Sequence, residues 1–411
     1  MQCTVNLPLT PMAALVLASI APALAAAPFP APDATRPWLY FGANQSGPVD
    51  NGLYTALAAN SSLAGYGWQN NAAPAAYRHG EANLHGAAAA LAAAAPALPV
   101  FVYRHFQMNW RLFDVQRAND DDPSAHGMFL RDHDHAPGAA ECRQGVPGGD
   151  TSPLFAFVNS SAGAFWVDRV IAEVAAEASV SALFMDETDW SACGYDFAKD
   201  GCGNISDAFR ARDLAAKLPV IRATADALVA AGKWPIFSSK NLLAAAWAGL
   251  PASAPRPCVV PHDAFAAALA GVPYARFYEF WMGQGADLDA ATIQNALLEG
   301  AAGVGLVARA GADAAAQCPA ACPEGSVGKA SLPYALAAFL VARVSPHSYF
   351  GVSAGWYSPC WCWHAEFDAA AACGAPAAAA VRDGPHAWTR EYERCLVRVN
   401  TSAAAGAFSS R

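Results

Sequence analysis

Charge is what this sequence has least of. Only 14% of its residues are Asp, Glu, Lys or Arg, where about 25% is usual for a globular protein. Cations are the scarcer sign: 25 Lys and Arg stand against 34 Asp and Glu, a formal net charge of −9. A nucleic-acid binder needs a cationic footprint for the phosphate backbone, so no nucleic-acid partner is expected. The 32 glycines follow no triplet repeat, which excludes a collagen-like chain. No P-loop and no H-E-x-x-H pattern occurs, so the NTPase and zincin readings fall away. Internal membrane spans are absent too. The stretch 87–100 is long and apolar, but it is Ala-rich and broken by Pro96 and Pro99.

What the chain has in quantity is apolar and aromatic surface. The hydrophobic fraction is 55%, with 12 Trp, 12 Tyr and 20 Phe. Disorder needs few aromatics and high charge, so the chain folds. Its 411 residues are enough to bury a large core without covalent staples, yet it carries 11 Cys. The amino terminus suggests why. Residues 1–25 contain no charged side chain, and an apolar run ends in Ala23-Leu24-Ala25. That is the pattern of a signal peptide with an A-x-A-like cleavage site; the run is shorter than the ~20 residues of a membrane span. The expectation is a secreted, extracellular protein with no integral membrane association. Sequons at Asn44, Asn60, Asn159, Asn204 and Asn400 agree with that route. Cleavage would remove Cys3 and leave an even set of cysteines, which suits disulfides of open connectivity. A zinc site at Cys318/Cys322 and Cys360/Cys362 is the competing reading, but no His pair of finger-like spacing accompanies them.

Eight short apolar runs, each bounded by turn residues, read as strands: Trp38–Gly42, Gly65–Trp68, Val100–Arg104, Ala182–Asp186, Pro235–Ser239, Arg276–Phe280, Gly303–Ala308 and Ser348–Val352. Helical stretches separate them. Ala162–Ala178 places Phe165, Val167, Val170, Ile171 and Val174 largely on one stripe. Asp207–Ala231 follows a capping Ser206 or begins with a capping Asp207, and stops at Gly232. Asp289–Gly300 and Ser331–Val344 complete the set. Eight strands alternating with helices predict an α/β fold, a (β/α)8 TIM barrel with long βα loops. The rival doubly wound sheet lacks its glycine-rich phosphate turn. Residues 26–411 are expected to form one domain, with 384–411 a trailing segment packed on the barrel. Two long loops, 106–158 and 190–206, follow the third and fourth strands and are expected on the active face.

Catalytic groups of a barrel stand at the carboxyl ends of its strands. Those ends carry Arg104 and His105, then Asp186, Glu187 and Asp189, then Ser239, Lys240 and Asn241, then Glu279, then Arg309. Charges directly after apolar strands are costly unless paired or used. The sharpest pair is Asp186 with Glu279. Two opposed carboxylates are what glycoside hydrolysis needs, one to protonate the leaving oxygen and one to attack or to activate water. Glu187 would point away from Asp186 if the strand continued, and is expected to be structural. Trp68, Trp190, Trp281, Trp356, Trp361 and Trp363 fall at or after strand ends, where flat faces suit sugar rings. The loop with His126, His133 and His135 among Asp120, Asp121, Asp122, Asp132 and Asp134 could hold a divalent ion or be a solvated loop.

Several stretches resemble the glycoside-hydrolase-like TIM-barrel families of secreted proteins. They are Trp110-Arg111-Leu112-Phe113, Met128 to Asp132, Phe157-Val158-Asn159 with Phe165 to Asp168, and Ala182 to Asp189. Near the end, Ser348 to Gly351 with Gly355-Trp356, Gly374-Ala375-Pro376, and Trp388 to Tyr392 through Val397 to Asn400 continue it. The similarity spans most of the chain, though each motif is short. It implies a glycosidase whose fourth-strand acid is Asp186 and whose sixth-strand acid is Glu279. Ala156 stands where the family's phrase has an aspartate.

The expectation is therefore a secreted, monomeric glycoside hydrolase acting on a poly- or oligosaccharide, with no cofactor and no resident metal. Glu279 would be the general acid and Asp186 the nucleophile or base. Arg104, His105, Asp189, Trp190, Lys240, Asn241, Trp281 and Trp356 would bind the carbohydrate. Two other readings stay open: a non-catalytic carbohydrate-binding protein on a degenerate barrel, and a metal-dependent hydrolase using the His/Asp-rich loop.

Overall fold

A computed structural model describes residues 37–42, 58, 60–67, 79–145, 151–189, 203–239, 262–279, 281–311, 326–327, 330–353 and 363–410. Eight parallel strands run in chain order around one sheet. They are β1 (Leu39–Gly42), β2 (Leu63–Tyr66), β3 (Val100–His105), β4 (Ala182–Asp186), β5 (Trp234–Ser238), β6 (Ala275–Tyr278), β7 (Gly305–Gly311) and β8 (Ser348–Ser353). A parallel bridge between Trp38 and Phe350 joins the last strand to the first, supported by the Phe350 amide donating to the Pro37 carbonyl at 2.8 Å. This is a (β/α)8 barrel.

The helices lie between the strands, as the apolar spacing predicts. Gly80–Ala94 is α1. Ser160–Phe165 runs on through Trp166–Ile171 and Ala172–Ala176 as α2. Asp207–Ala230 is α3, His262–Ala268 α4, Ala286–Ala301 α5, Leu332–Ala342 α6 and Ala365–Ala372 α7. Ser206 caps α3 by accepting the Phe209 amide, and Gly232 leaves it at a φ of 73°, the left-handed turn that glycine adopts without strain.

Strand register decides which side chains enter the barrel. Phe101 pairs with Ala182, Tyr103 with Phe184 and His105 with Asp186. Phe184 pairs with Ile236, Ser238 with Phe277 and Phe277 with Val307. Side chains alternate between faces along a strand, so these residues share the interior. There Phe184 stacks on Phe277 at 4.2 Å between ring centroids, and Phe101 meets both edgewise at 6.3 and 6.1 Å. This aromatic plug fills the lower barrel and leaves the carboxyl-end mouth for polar groups.

Beyond the barrel, β9 (Val381–Arg382), β10 (Ala387–Glu391), β11 (Cys395–Asn400) and β12 (Ala405–Ser410) form an antiparallel sheet. Helix α6 is buried along its whole length. Its last carbonyls, which have no helical partner, accept from the sheet: Arg390 Nη1 donates to Leu340 and Val341, and the Tyr392 hydroxyl donates to Leu340 at 2.8 Å. A Cys373–Cys395 disulfide ties the end of α7 to β11, and Cys142 is also disulfide-bonded. Among the described residues no helix is long and apolar enough to cross a membrane.

Gly351 sits at the seam, where a Cβ would lie 2.4 Å from the Leu39 carbonyl oxygen and 2.9 Å from its Cβ. Backbone cannot yield as a side-chain tip can. Gly351→Ala is expected to cost about 2 kcal/mol by overpacking, read as a lowered denaturation midpoint; a midpoint unchanged from wild type would show that the seam is loose.

Candidate active site

The alternation that builds the plug places four groups at the mouth. Tyr103 and His105 point inward from β3, Asp186 from the end of β4 and Arg309 from β7, while Glu279 follows β6 directly. The Tyr103 hydroxyl donates to Oδ2 of Asp186 at 2.9 Å. The Glu187 amide donates to Oδ1 at 2.9 Å. Arg309 Nη1 lies 3.6 Å from Oε1 of Glu279 and donates to its carbonyl at 3.4 Å. Asp186, Glu279 and Arg309 are all at most 5% exposed.

Electrostatics joins these groups into one cluster. Burial pushes the Tyr103 hydroxyl well above its ordinary range, and the charges of Asp186, Glu187 and Glu279 add to that push. Burial lowers the Arg309 guanidinium, and the nearby carboxylates of Glu279 and Asp186 oppose the shift. Both paired acids therefore act on the same tyrosine and the same arginine. A buried cation next to two carboxylates is what lets them remain without bulk water.

His105 stands beside them. Its Nδ1 accepts the Met108 amide at 3.0 Å, which leaves the ring proton on Nε2. That nitrogen faces Oε2 of Glu187 at 3.2 Å. Glu187 does not continue the strand. Its φ is 56°, and the turn carries its carboxylate to His105 rather than away from the site, which corrects the expectation of an outward residue. Trp110, from the long loop after β3, meets Tyr103 and His105 edgewise at 5.9 and 5.8 Å. Glu187, Tyr103 and Trp110 were not among the expected site residues. Tyr103 was findable, since it lies two residues before His105 on one face of one strand.

Three expected binding residues are placed elsewhere. Arg104 points outward from β3: Nη2 bonds Glu173 of α2 at 2.7 Å and the guanidinium lies 4.2 Å over the Phe113 ring. It fastens a helix to a strand and does not reach the mouth. Asp189 is 1% exposed and accepts from Arg276 Nη2 at 3.0 Å and Ser238 Oγ at 3.2 Å. It braces the ends of β4, β5 and β6. Trp281 is 1% exposed, with its Nε1 donating to the Ala335 carbonyl at 2.9 Å, so its face is packed against core and not offered to a ring. Trp190, Lys240, Asn241 and Trp356 lie outside the described residues, as do Trp68 and Trp361. So do Cys318, Cys322, Cys360 and Cys362. The sequence also holds Gly351-Val352-Ser353-Ala354-Gly355, the spacing of a nucleophile elbow. Only its first three residues are described, and they end β8.

The His/Asp-rich loop has a structural use. Asp132 accepts the Asn204 amide and side chain at 2.9 and 2.8 Å, and Asp134 accepts the Ser206 amide and hydroxyl, both at 2.6 Å. Asp120 bonds Arg111 and Arg143. The loop thus clamps the start of α3. Among the described residues no cluster of three or more His, Cys, Asp or Glu is arranged to hold a metal ion.

Lys217 of α3 is buried behind the mouth. Its ammonium donates to Gln107 Oε1 and lies 5.5 Å from the Phe157 ring centroid. Burial pulls it down to about 8, against the pull of Asp213, Glu187 and Asp189. At pH 7 the lysine is protonated both folded and unfolded, so the fold carries the whole penalty of burying it. As pH rises through about 8, the folded state releases the proton before the unfolded one does, and the penalty fades. The stability of wild type relative to Lys217→Met is therefore expected to improve between pH 7 and 9.5 in parallel thermal melts. A difference independent of pH would show that the ammonium is not buried.

No family model matches the chain, and no curated protein matches it in sequence. Among solved structures it is similar to Ega3 of Aspergillus fumigatus in complex with galactosamine, at 8% identity over 80% of this chain and 96% of that one, TM-score 0.42. It is similar to a variant of the glycoside hydrolase domain of PelA from Pseudomonas aeruginosa, at 14% identity over 78% and 96%, TM-score 0.40. A third is TtGalA, an alpha-galactosidase from Thermus thermophilus, at 12% identity over 90% and 67%, TM-score 0.44. The barrel assignment rests on strand order and register, independently of these likenesses.

Proposed function

We propose that this chain is a glycoside hydrolase acting on a poly- or oligosaccharide through Asp186 and Glu279. The observation that carries the proposal is that both acids are buried at the carboxyl end of the barrel, Asp186 2.9 Å from the Tyr103 hydroxyl and Glu279 3.6 Å from Arg309 Nη1. Asp186 accepts one hydrogen bond on each oxygen. Such bonds favour the charged form of a carboxylate, which suits the nucleophile or the base that activates water. Glu279, 2% exposed and 3.6 Å from Arg309 Nη1, is the proton donor to the leaving oxygen. His105, whose Nε2 faces Glu187, lines the mouth and keeps its assignment to sugar hydroxyls. Lys240, Asn241, Trp190 and Trp356, which follow strands β5, β4 and β8 in sequence, keep their assignment to substrate binding. The reaction needs no cofactor. The disulfide at Cys373–Cys395 supports passage through an oxidising compartment, consistent with secretion directed by residues 1–25.

The test is a hydrolysis screen of the secreted protein against a broad glycan panel, with Asp186→Asn and Glu279→Gln beside it. Each variant is expected to lose about 100-fold or more in kcat while its melting temperature stays close to wild type. Activity kept in both variants would remove the site assignment. Glycan binding without hydrolysis, equal in all three proteins, would instead mark a non-catalytic binding barrel.

A further inference from the structure

We propose that the amino-terminal end of the barrel, opposite the paired acids, holds a binding site for a small monoanion, a carboxylate carried on a flat apolar body, with Lys233 as its cation. The segments that lead into six of the strands, β3 to β8, line a cavity of about 750 Å³ there. Small-molecule pockets are of this size, roughly 300–1,000 Å³. Ala178, Ala231 and Gly303 line it at positions where larger side chains would fill it. Neither Asp186 nor Glu279 contributes to its wall.

Lys233 directly precedes β5 and is 6% exposed. Its Nζ donates to the carbonyls of Glu177 at 2.5 Å and Val180 at 2.6 Å. An ammonium has three N–H donors, so one is left over. The Glu177 carboxylate is taken by the Ser179 amide and hydroxyl at 3.0 and 2.7 Å. Among the described residues Lys233 forms no ion pair with any carboxylate. A buried cation costs desolvation that carbonyl oxygens offset only in part, and an anion in the cavity supplies the missing charge. Ser181 directly precedes β4, and its hydroxyl bonds nothing among the described residues. His347 precedes β8 and meets Trp234 edgewise at 4.7 Å. Burial holds His347 below its ordinary range, so the ring is neutral at pH 7 and Lys233 is the one charge of the wall. One charge suits a carboxylate better than a phosphate, which carries up to two. Trp234 and Tyr274 supply flat apolar surface for the body of the ligand.

The experiment is titration calorimetry of the secreted protein with benzoate, benzyl alcohol and inorganic phosphate, on wild type, Lys233→Met, Ala178→Trp and Asp186→Asn. Benzoate is expected to bind wild type with a Kd of about 1 mM. Benzyl alcohol, the same ring without the charge, is expected to bind about tenfold or more weaker. Lys233→Met keeps the stem and removes the ammonium; it is expected to weaken benzoate about tenfold or more and to leave benzyl alcohol within about twofold. Ala178→Trp leaves Lys233 in place and fills the cavity from an exposed position, so it is expected to abolish both ligands, and it decides the matter if Lys233→Met melts far below wild type. Asp186→Asn is expected to bind benzoate as wild type does. The site is overturned if wild type takes up no benzoate at about 10 mM, if the alcohol matches benzoate, or if Ala178→Trp binds benzoate unchanged. Phosphate binding as tight as benzoate would overturn the carboxylate assignment. Loss of benzoate in Asp186→Asn would move the ligand to the mouth and overturn the site as well.

Discussion

A carboxylate set above three phenylalanine rings has to be answered by a charge or by donors of its own, and the upper half of this barrel is arranged around that requirement. Arg309 is the buried cation that both Asp186 and Glu279 act on. Tyr103 supplies the neutral donor, and burial among the anions keeps its proton in place. Without these two groups the acids would take up protons or draw in water, and the mouth would not be a dry polar site over an apolar floor. The plug of Phe101, Phe184 and Phe277 matters for the same reason: it denies the acids solvent from below.

The alternation of side chains then sorts the remaining charges. One residue along β3, the step from Tyr103 to Arg104, separates the barrel mouth from the helix layer. One residue along β6 does the same for Arg276, which faces Phe265 of α4 at 4.2 Å while its neighbour Phe277 joins the plug. Two cations that stand at strand ends in sequence are thus fasteners on the outside of the barrel. Arg309, two residues after Val307, which pairs with Phe277, has the inward parity.

This explains what the sequence does and does not disclose. The strands are legible as short apolar runs, and the carboxyl-end level of each candidate follows from where its run stops. Parity is not legible, because β3, β4 and β5 are buried on both faces and read as continuous apolar runs. Arg104 and His105 therefore look equivalent in sequence and are opposite in space. The turn at Glu187 is invisible for another reason. Left-handed turns are announced by Gly or Asn, and here a glutamate is forced into one by contacts from three strands. Trp281 was misplaced because position after a strand says nothing of rotation about the chain, and its indole N–H finds a core carbonyl instead of solvent.

The buried ion pairs can be ranked by what they join. Arg104–Glu173 ties β3 to α2, and Arg276–Glu299 ties β6 to α5. Pairs of this kind add little net stability over apolar packing, but they fix one element against another. Glu279 and Arg309 have no such task. β6 and β7 are already hydrogen-bonded in register from Ala275–Gly305 to Tyr278–Ala308, so a charge pair at their upper end fixes nothing that the sheet has left loose. A pair that costs desolvation and settles no packing question fits the chemistry proposed for Glu279. In a chain with so few charges, that is the strongest structural reason to look for the reaction between Asp186 and Glu279 rather than at the more numerous ion pairs of the outer layer.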